Sequence, residues 1–289
     1  MRRGLLAFLI SAVLGIPAVS AQGLGGALAQ DGVLGPEGSP HEVISDLTIP
    51  AGVTLTLQPG AVLKFAPGVN LVVQGTLNGA GGATAETMVS LVSRDTGTFW
   101  GRIDILGGKV DLSRAFVVAG GILVRTGEAS VKDSVIAGCE VGLTLMGGKA
   151  AVQGCRISKN KAGIDLASAQ AVISVQGSEI SQNGYGVAIR AFQSADFKGN
   201  RIQENQMGLA NLSAQTFDAS GNWWGSQDGT EIAKAVLDKD DDPRYGPVVV
   251  RPLFGETAVA VAPTPEPQWA PTPVPALQPT PVPVVAAAP

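Results

Sequence analysis

The chain has 289 residues, a formal charge of −4, a single histidine and two cysteines. With one histidine there is almost no material for a His-based catalytic triad or a zinc site. The acidic balance, which goes from −4 to −6 once Arg2 and Arg3 are lost, argues against a nucleic-acid partner.

The chain opens on an export signal. Arg2 and Arg3 supply the positive start, Leu5 to Ile16 an apolar run, and Val19-Ser20-Ala21 a small-residue cleavage site, so residues 1–21 read as a Sec-type signal peptide. The apolar run is too short to span a bilayer and nothing later replaces it, so the mature chain has no expected transmembrane segment. A secreted, periplasmic or cell-surface location in a bacterium follows. Residues 22–43 form a lead-in. From residue 44 the chain carries short apolar or alternating runs, Val53 to Leu57 and Leu71 to Val73, punctuated by Gly60 and Gly75.

Between residues 113 and 224 the pattern becomes a repeat. A glycine followed by an aliphatic residue recurs at Gly121-Ile122, Gly142-Leu143, Gly163-Ile164, Gly186-Val187 and Gly208-Leu209. Eight residues upstream of each glycine stands a small polar residue, Ser113, Ser134, Cys155, Ser178 and Asn200, with Asn222 continuing the row. Two residues further on come Ala115, Ile136, Ile157, Ile180, Ile202 and Trp224. Such a period predicts one three-stranded coil per repeat, with each coil pairing its backbone to the coils above and below. Alternation turns Ile164 and Leu166 inward and Asp165 toward solvent. Asn160, Asn183 and Asn205 fall at one corner of successive coils and are expected to form a buried amide ladder. Cys139 stands in that row and Cys155 in the Ser/Asn row, so the two belong to different corners and a disulfide is not expected.

The β-helix is expected over 44–229 and a cap over 230–255. From residue 256 to 289 Pro, Thr, Val and Ala dominate, and Pro263-Thr264-Pro265 recurs at Pro271 and Pro279, which reads as a disordered polyproline-type spacer.

Because aligned residues of neighbouring coils sit about 4.8 Å apart, the register also predicts outer-face neighbours. Asp196 falls beside Asp218, with Lys198 next to Ser220; such a carboxylate pair could act as acid and base on a glycosidic bond or hold calcium. Trp224 should plug the core while Trp223 faces out, where it could stack on a sugar. Arg114, Val135, Arg156, Glu179 and Arg201 form a second row, with Glu179 between two arginines. The loop Asp238-Lys239-Asp240-Asp241-Asp242-Pro243 is the densest acidic cluster, with Asp240, Asp241 and Asp242 as candidate calcium ligands without EF-hand spacing, or else a structural turn. No cofactor is required by any of these. Four methionines, two separated cysteines and one histidine make no soft-ligand cluster for copper.

Several segments resemble a known family in order: Ser45 to Phe65 its opening coil, Gln74-Gly75-Thr76-Leu77 and Trp100-Gly101-Arg102-Ile103 its next landmarks, and Gly221-Asn222-Trp223-Trp224-Gly225 its closing motif. Glu231 to Leu237, Asp240 to Pro243, Tyr245 to Pro247 and Arg251 to Leu253 are similar to its C-terminal cap. The family is that of secreted bacterial right-handed parallel β-helix repeat proteins, in the pectate-lyase-like superfamily. The resemblance implies an all-β solenoid with a short helix/strand cap, but its members include lyases, glycosidases, adhesins and a periplasmic protein of copper delivery, so fold does not choose the activity. Two readings stand. One is a monomeric, non-catalytic scaffold binding a polysaccharide or other envelope component, with Lys198 and Trp223 as ligand contacts. The other is a polysaccharide lyase or glycoside hydrolase acting through Asp196 and Asp218.

Overall fold

The computed structural model describes residues 23–254 except residue 252; the signal segment and the spacer lie outside the described residues. The described chain is an all-β parallel solenoid of about nine turns. Its strands fall into three faces. The first runs through Val62–Phe65, Val89–Ser93, Ala115–Val118, Val135–Ala137, Arg156–Ser158, Glu179–Ser181 and Arg201–Gln203 to Trp223. The second runs through Leu71–Val73, residues 103–105 and 122–124, Val141–Leu145, Ala162–Ala167, Tyr185–Ala191 and Met207–Asn211. The third runs through Gly32–Leu34, Thr54–Leu57, Thr76–Ala80, residues 109–113 and 128–132, Lys149–Gln153, Val172–Gln176 and Ser194–Lys198. The stack already includes Leu24–Ala27, which pairs with His41–Ile49.

Period-2 alternation sends one set of side chains into a single core, and the parallel register turns that set into columns. Ile136, Ile157, Ile180 and Ile202 stack on the first face, Leu143, Ile164, Val187 and Leu209 on the second, and Val131, Val152, Val175 and Phe197 on the third; all are at most 2 % exposed. At the N-terminal end the column is replaced by a ring stack, Phe65 on Trp100 at 4.2 Å.

Corners decide how the coil closes. Each of two corners turns on one residue in the left-handed region, and the ladder residue follows it directly. At the first these are Lys159, Gln182 and Glu204, with φ of 59°, 57° and 58°, each preceding an asparagine of the ladder. At the other they are mostly glycines, Gly154, Gly177, Gly199 and Gly221, before Cys155, Ser178, Asn200 and Asn222. A left-handed residue swings the next N–H inward, away from its strand partner, so that group needs an acceptor inside the protein. The ladder supplies it. Asn183 Oδ1 accepts from the N–H of Asn160 at 3.0 Å, Asn205 Oδ1 from that of Asn183 at 2.9 Å, and Asn160 Oδ1 from that of Cys139 at 2.8 Å. Each Nδ2 then donates to a carbonyl further up, Asn183 to Ile157 and Asn205 to Ile180. The second corner repeats the device with Ser178, Asn200 and Asn222.

The repeat glycine has a different cause. A Cβ on Gly163 would lie 2.6 Å from the carbonyl oxygen of Gly186, and one on Gly186 2.4 Å from that of Gly208. Successive coils press their backbones together there, and only a hydrogen fits.

The earliest coil of the repeat corrects the expected register. Ser113 pairs with Lys132 and is not in the polar row; Ala115 is, its N–H donating to Ser134 Oγ at 3.0 Å, and Val117 rather than Ala115 stands under Ile136. Gly121 still matches Gly142, but the corner before it is two residues shorter, Ala119-Gly120 against Gly138-Cys139-Glu140-Val141. Counting back from the glycine therefore overshoots by two. The short corner is possible because Gly120 lies against Trp100, whose ring would sit 2.1 Å from any Cβ there.

Removing one rung should be costly. Asn183→Ala leaves the Asn160 N–H and the Ile157 carbonyl unpaired in the interior and is expected to lower the unfolding free energy by about 2–4 kcal/mol, measured by urea denaturation. Its neighbour Gln182, exposed and left-handed, gives the opposite sign: Gln182→Gly should stabilise by up to about 1 kcal/mol.

Candidate functional site

On the third face the structure brings Lys198 and Asp218 together. Lys198 Nζ lies 3.1 Å from Asp218 Oδ2 and 3.1 Å from Ser220 Oγ, and Asp218 Oδ1 accepts from the Ser220 N–H at 2.9 Å. Hydrogen bonds from Ser220, side chain and backbone, and then the Lys198 ammonium hold the Asp218 carboxyl below the usual aspartate range against a smaller desolvation effect. A carboxyl so held stays ionised, whereas a general acid near neutrality needs the reverse shift. Asp196 is exposed and pairs with Ser174 on the preceding coil. Phe217–Asp218 pairs with Val248–Val249 in a separate two-stranded sheet, so the cap returns as a last partial coil. Beneath it Phe217 meets the edges of Phe192 and Phe197, both at 5.5 Å between ring centres.

Trp224 is 5 % exposed and closes the core, its indole N–H without a partner among the described residues. Trp223 is half-buried and continues the outer row beyond Arg201. In that row Arg156 Nη2 lies 3.5 Å from Glu179, while Arg201 turns to Gln203 at 3.3 Å. Arg114 is the left-handed corner residue, outside the row, and Phe116 occupies its expected place. Asp165 does point outward but is 7 % exposed, covered by Arg190 whose Nη1 is 2.6 Å from Oδ1.

The acidic loop is organised around Asp238, its first residue. Its Oδ1 accepts from the Asp240 N–H at 2.9 Å and its Oδ2 from the Val248 N–H at 2.8 Å, pinning the returning segment to the loop. The other carboxylates face separate partners: Asp240 meets Lys239, Asp241 accepts from the Asp238 N–H, and Asp242 binds Arg244, whose hydrogen bonds pull the Asp242 carboxyl down to about 2. Among the described residues no three His, Cys, Asp or Glu side chains are grouped so as to hold a metal ion.

Two grooves open where the sequence singled out no site. Phe99, 43 % exposed, forms the ridge between them. On the first-face side lies an apolar groove of about 480 Å³ walled by Val62, Val92, Val118 and Ala119 and overhung by residues 94–98. On the second-face side lies a more polar groove of about 360 Å³, with Asn70, Arg102, Glu140 and Thr144 in its lining. Lys161 bridges to this ridge, 2.7 Å from Glu140 Oε1 and 6.0 Å from the Phe99 ring centre; its hydrogen bond holds the Glu140 carboxyl below the ordinary range. The legible signal was the run Ala115-Phe116-Val117-Val118. Four apolar residues in a row cannot alternate, so the strand must be covered on both sides. Phe116 is indeed fully buried on the outer side, in a satellite cluster with Met88, Val118 and Val135.

A family model described as "Periplasmic copper-binding protein (NosD)" matches residues 93–229. No curated protein and no solved structure was found to match the chain. The described residues do not fit a copper ion. Cys139 and Cys155 are free thiols at different corners, each pushed up to about 12 by burial. His41 is engaged by the Gly35 carbonyl at 2.9 Å, and the exposed Met146 is contacted by Arg125.

Asp238→Ala should therefore destabilise the cap by about 1–3 kcal/mol, because two backbone N–H groups lose their acceptor. Thermal melting with calcium or with chelator is expected to give one midpoint for the parent chain and one lower midpoint for the variant; a calcium-dependent rise in either would show that the loop is a metal site.

Proposed function

We propose that this protein is an exported right-handed β-helix scaffold without catalytic activity, working in the periplasm or outside the cell, and that it holds a glycan or another envelope component on its outer wall. The NosD match over residues 93–229 supports the exported β-helix reading, and the periplasmic description that the family carries supports the location. The observation behind the binding reading is the polar groove beside Phe99. An exposed aromatic ring flanked by Asn70, Arg102, Glu140 and Thr144 offers a face for the apolar side of a sugar ring, with hydrogen-bonding groups for its hydroxyls. All these groups are carried on or beside stacked strands, so the surface is fixed before a ligand arrives. Lys198 and Trp223 offer a second contact region further along the molecule.

Against the hydrolase reading, Asp218 is kept ionised and so is unsuited to be the proton donor, and its two oxygens are already engaged by Lys198 and Ser220. A glycan array with the purified protein, run beside reducing-sugar and unsaturated-product assays, separates the two readings. Binding without turnover is expected, and Phe99→Ala should weaken it about tenfold. Turnover abolished by Asp196→Asn with Asp218→Asn would establish the enzyme instead, and absence of any glycan bound would remove the ligand class proposed.

A further inference from the structure

The apolar groove on the other side of Phe99 is a separate feature, and its occupant does not depend on the glycan reading. Val62, Val92, Val118 and Ala119 form its walls, hydroxyls of Ser90, Ser93 and Thr98 its rim, and Lys64 its edge. Lys64 makes no ion pair among the described residues, and no described segment of the chain fills the groove.

The last described residues point toward it. The segment after Val248–Val249 continues the coil, and the Phe254 N–H donates to the Asn222 carbonyl at 3.1 Å while its ring packs on Gly199. Asn222 is the corner that leads into the first face, so Phe254, the last described residue, lies beside the face that carries the groove. Phe254 lies one coil beyond Trp223, and from it the strands step through Trp223, Arg201, Glu179, Arg156 and Val135 to Phe116, which is six spacings or roughly 29 Å. Pro263 stands nine residues past Phe254 across a stretch without proline, and at the roughly 3.3–3.6 Å per residue of a fully extended chain that tether spans up to about 31 Å.

Chemistry agrees with the reach. Proline-rich segments lose little entropy on binding, and they dock in grooves lined by aromatic and apolar side chains. Residues 255–289 contain two glutamates, Glu256 and Glu266, and no lysine or arginine, so Glu266 within Pro263-Thr264-Pro265-Glu266-Pro267 matches the unpaired Lys64. We infer that the apolar groove between the Val62–Phe65 and Val135–Ala137 strands is a docking site for this chain's own Pro263–Trp269 segment, with Glu266 at Lys64.

Cross-linking in the full chain tests this, since the native thiols are buried. The span from Phe254 to Lys64, about eight coil spacings, exceeds the r.m.s. reach of a random tether as short as the one to Glu266, so an undocked tail would close Lys64→Cys with Glu266→Cys no faster than Lys64→Cys with Ala288→Cys. Docking is expected to make the Glu266→Cys pair about tenfold or more faster, within monomers. Equal or slower closure of that pair, or a cross-link that joins two chains, overturns the assignment; the second result would make another copy the occupant. Trp269 gives an independent reading that does not depend on new cysteines. Its fluorescence, isolated by difference from Trp269→Phe, should be shielded from acrylamide relative to a peptide of residues 259–273, and Val118→Asp should remove the shielding without shifting the far-UV spectrum. Quenching equal to that of the peptide in the parent chain would leave the groove to an outside ligand and end the proposal.

Discussion

A coil that turns three times per repeat must bend its backbone at every corner, and at two of the three the bend takes an N–H out of the strand ladder and turns it inward. Burying such a group without an acceptor costs about 1–3 kcal/mol, and the cost would recur on every turn. The amide and hydroxyl ladders remove it. Asn160, Asn183 and Asn205 at one corner, and Ser178, Asn200 and Asn222 at the other, each accept the N–H of the coil before them. The apolar columns then stack in register because the corners hold the coils at one height and one rotation. Loosen the corners, and inward and outward positions would no longer be distinguished from one turn to the next.

This is also why the fold could be read from the sequence. A structure built by translation repeats its requirements, and three of them are chemically narrow: a glycine where backbones touch, an amide where an N–H is orphaned, an aliphatic residue in the column. Gly142, Gly163 and Gly186, with the asparagines and isoleucines in phase with them, carried that information. The reading slipped at Ser113 because the corner after it, Ala119-Gly120, is two residues short and is closed by the ring of Trp100 resting on Gly120, a contact made at long range and invisible to a count. The outer walls were less legible for a related reason. Outward residues have no shared requirement, and their neighbours depend on loops that vary from coil to coil. Lys198 and Ser220 could be paired from the register alone. The Phe99 ridge depends on how residues 94–99 fold across the wall, which no repeat specifies.

Charge on those walls is mostly spent locally. Asp104 with Arg125, Glu140 with Lys161, Asp165 with Arg190 and Asp218 with Lys198 each join residues on neighbouring or nearby coils. Surface pairs of this kind add little stability, but they leave a wall without a strong field of either sign. The same balance applies in the cap, where Asp238 is consumed by two backbone N–H groups.

The ladders have one more consequence, for how such a molecule can change over time. Successive rungs lie 23 and 22 residues apart, and each rung needs only an identical group above and below it. Loss or gain of a single residue in a strand would throw every later side chain onto the wrong side, while duplication of one complete turn inserts a unit that both neighbours already accept. Length is therefore quantised: descendants of this chain can grow longer or shorter by whole turns, carrying the same ends on a shaft of new reach.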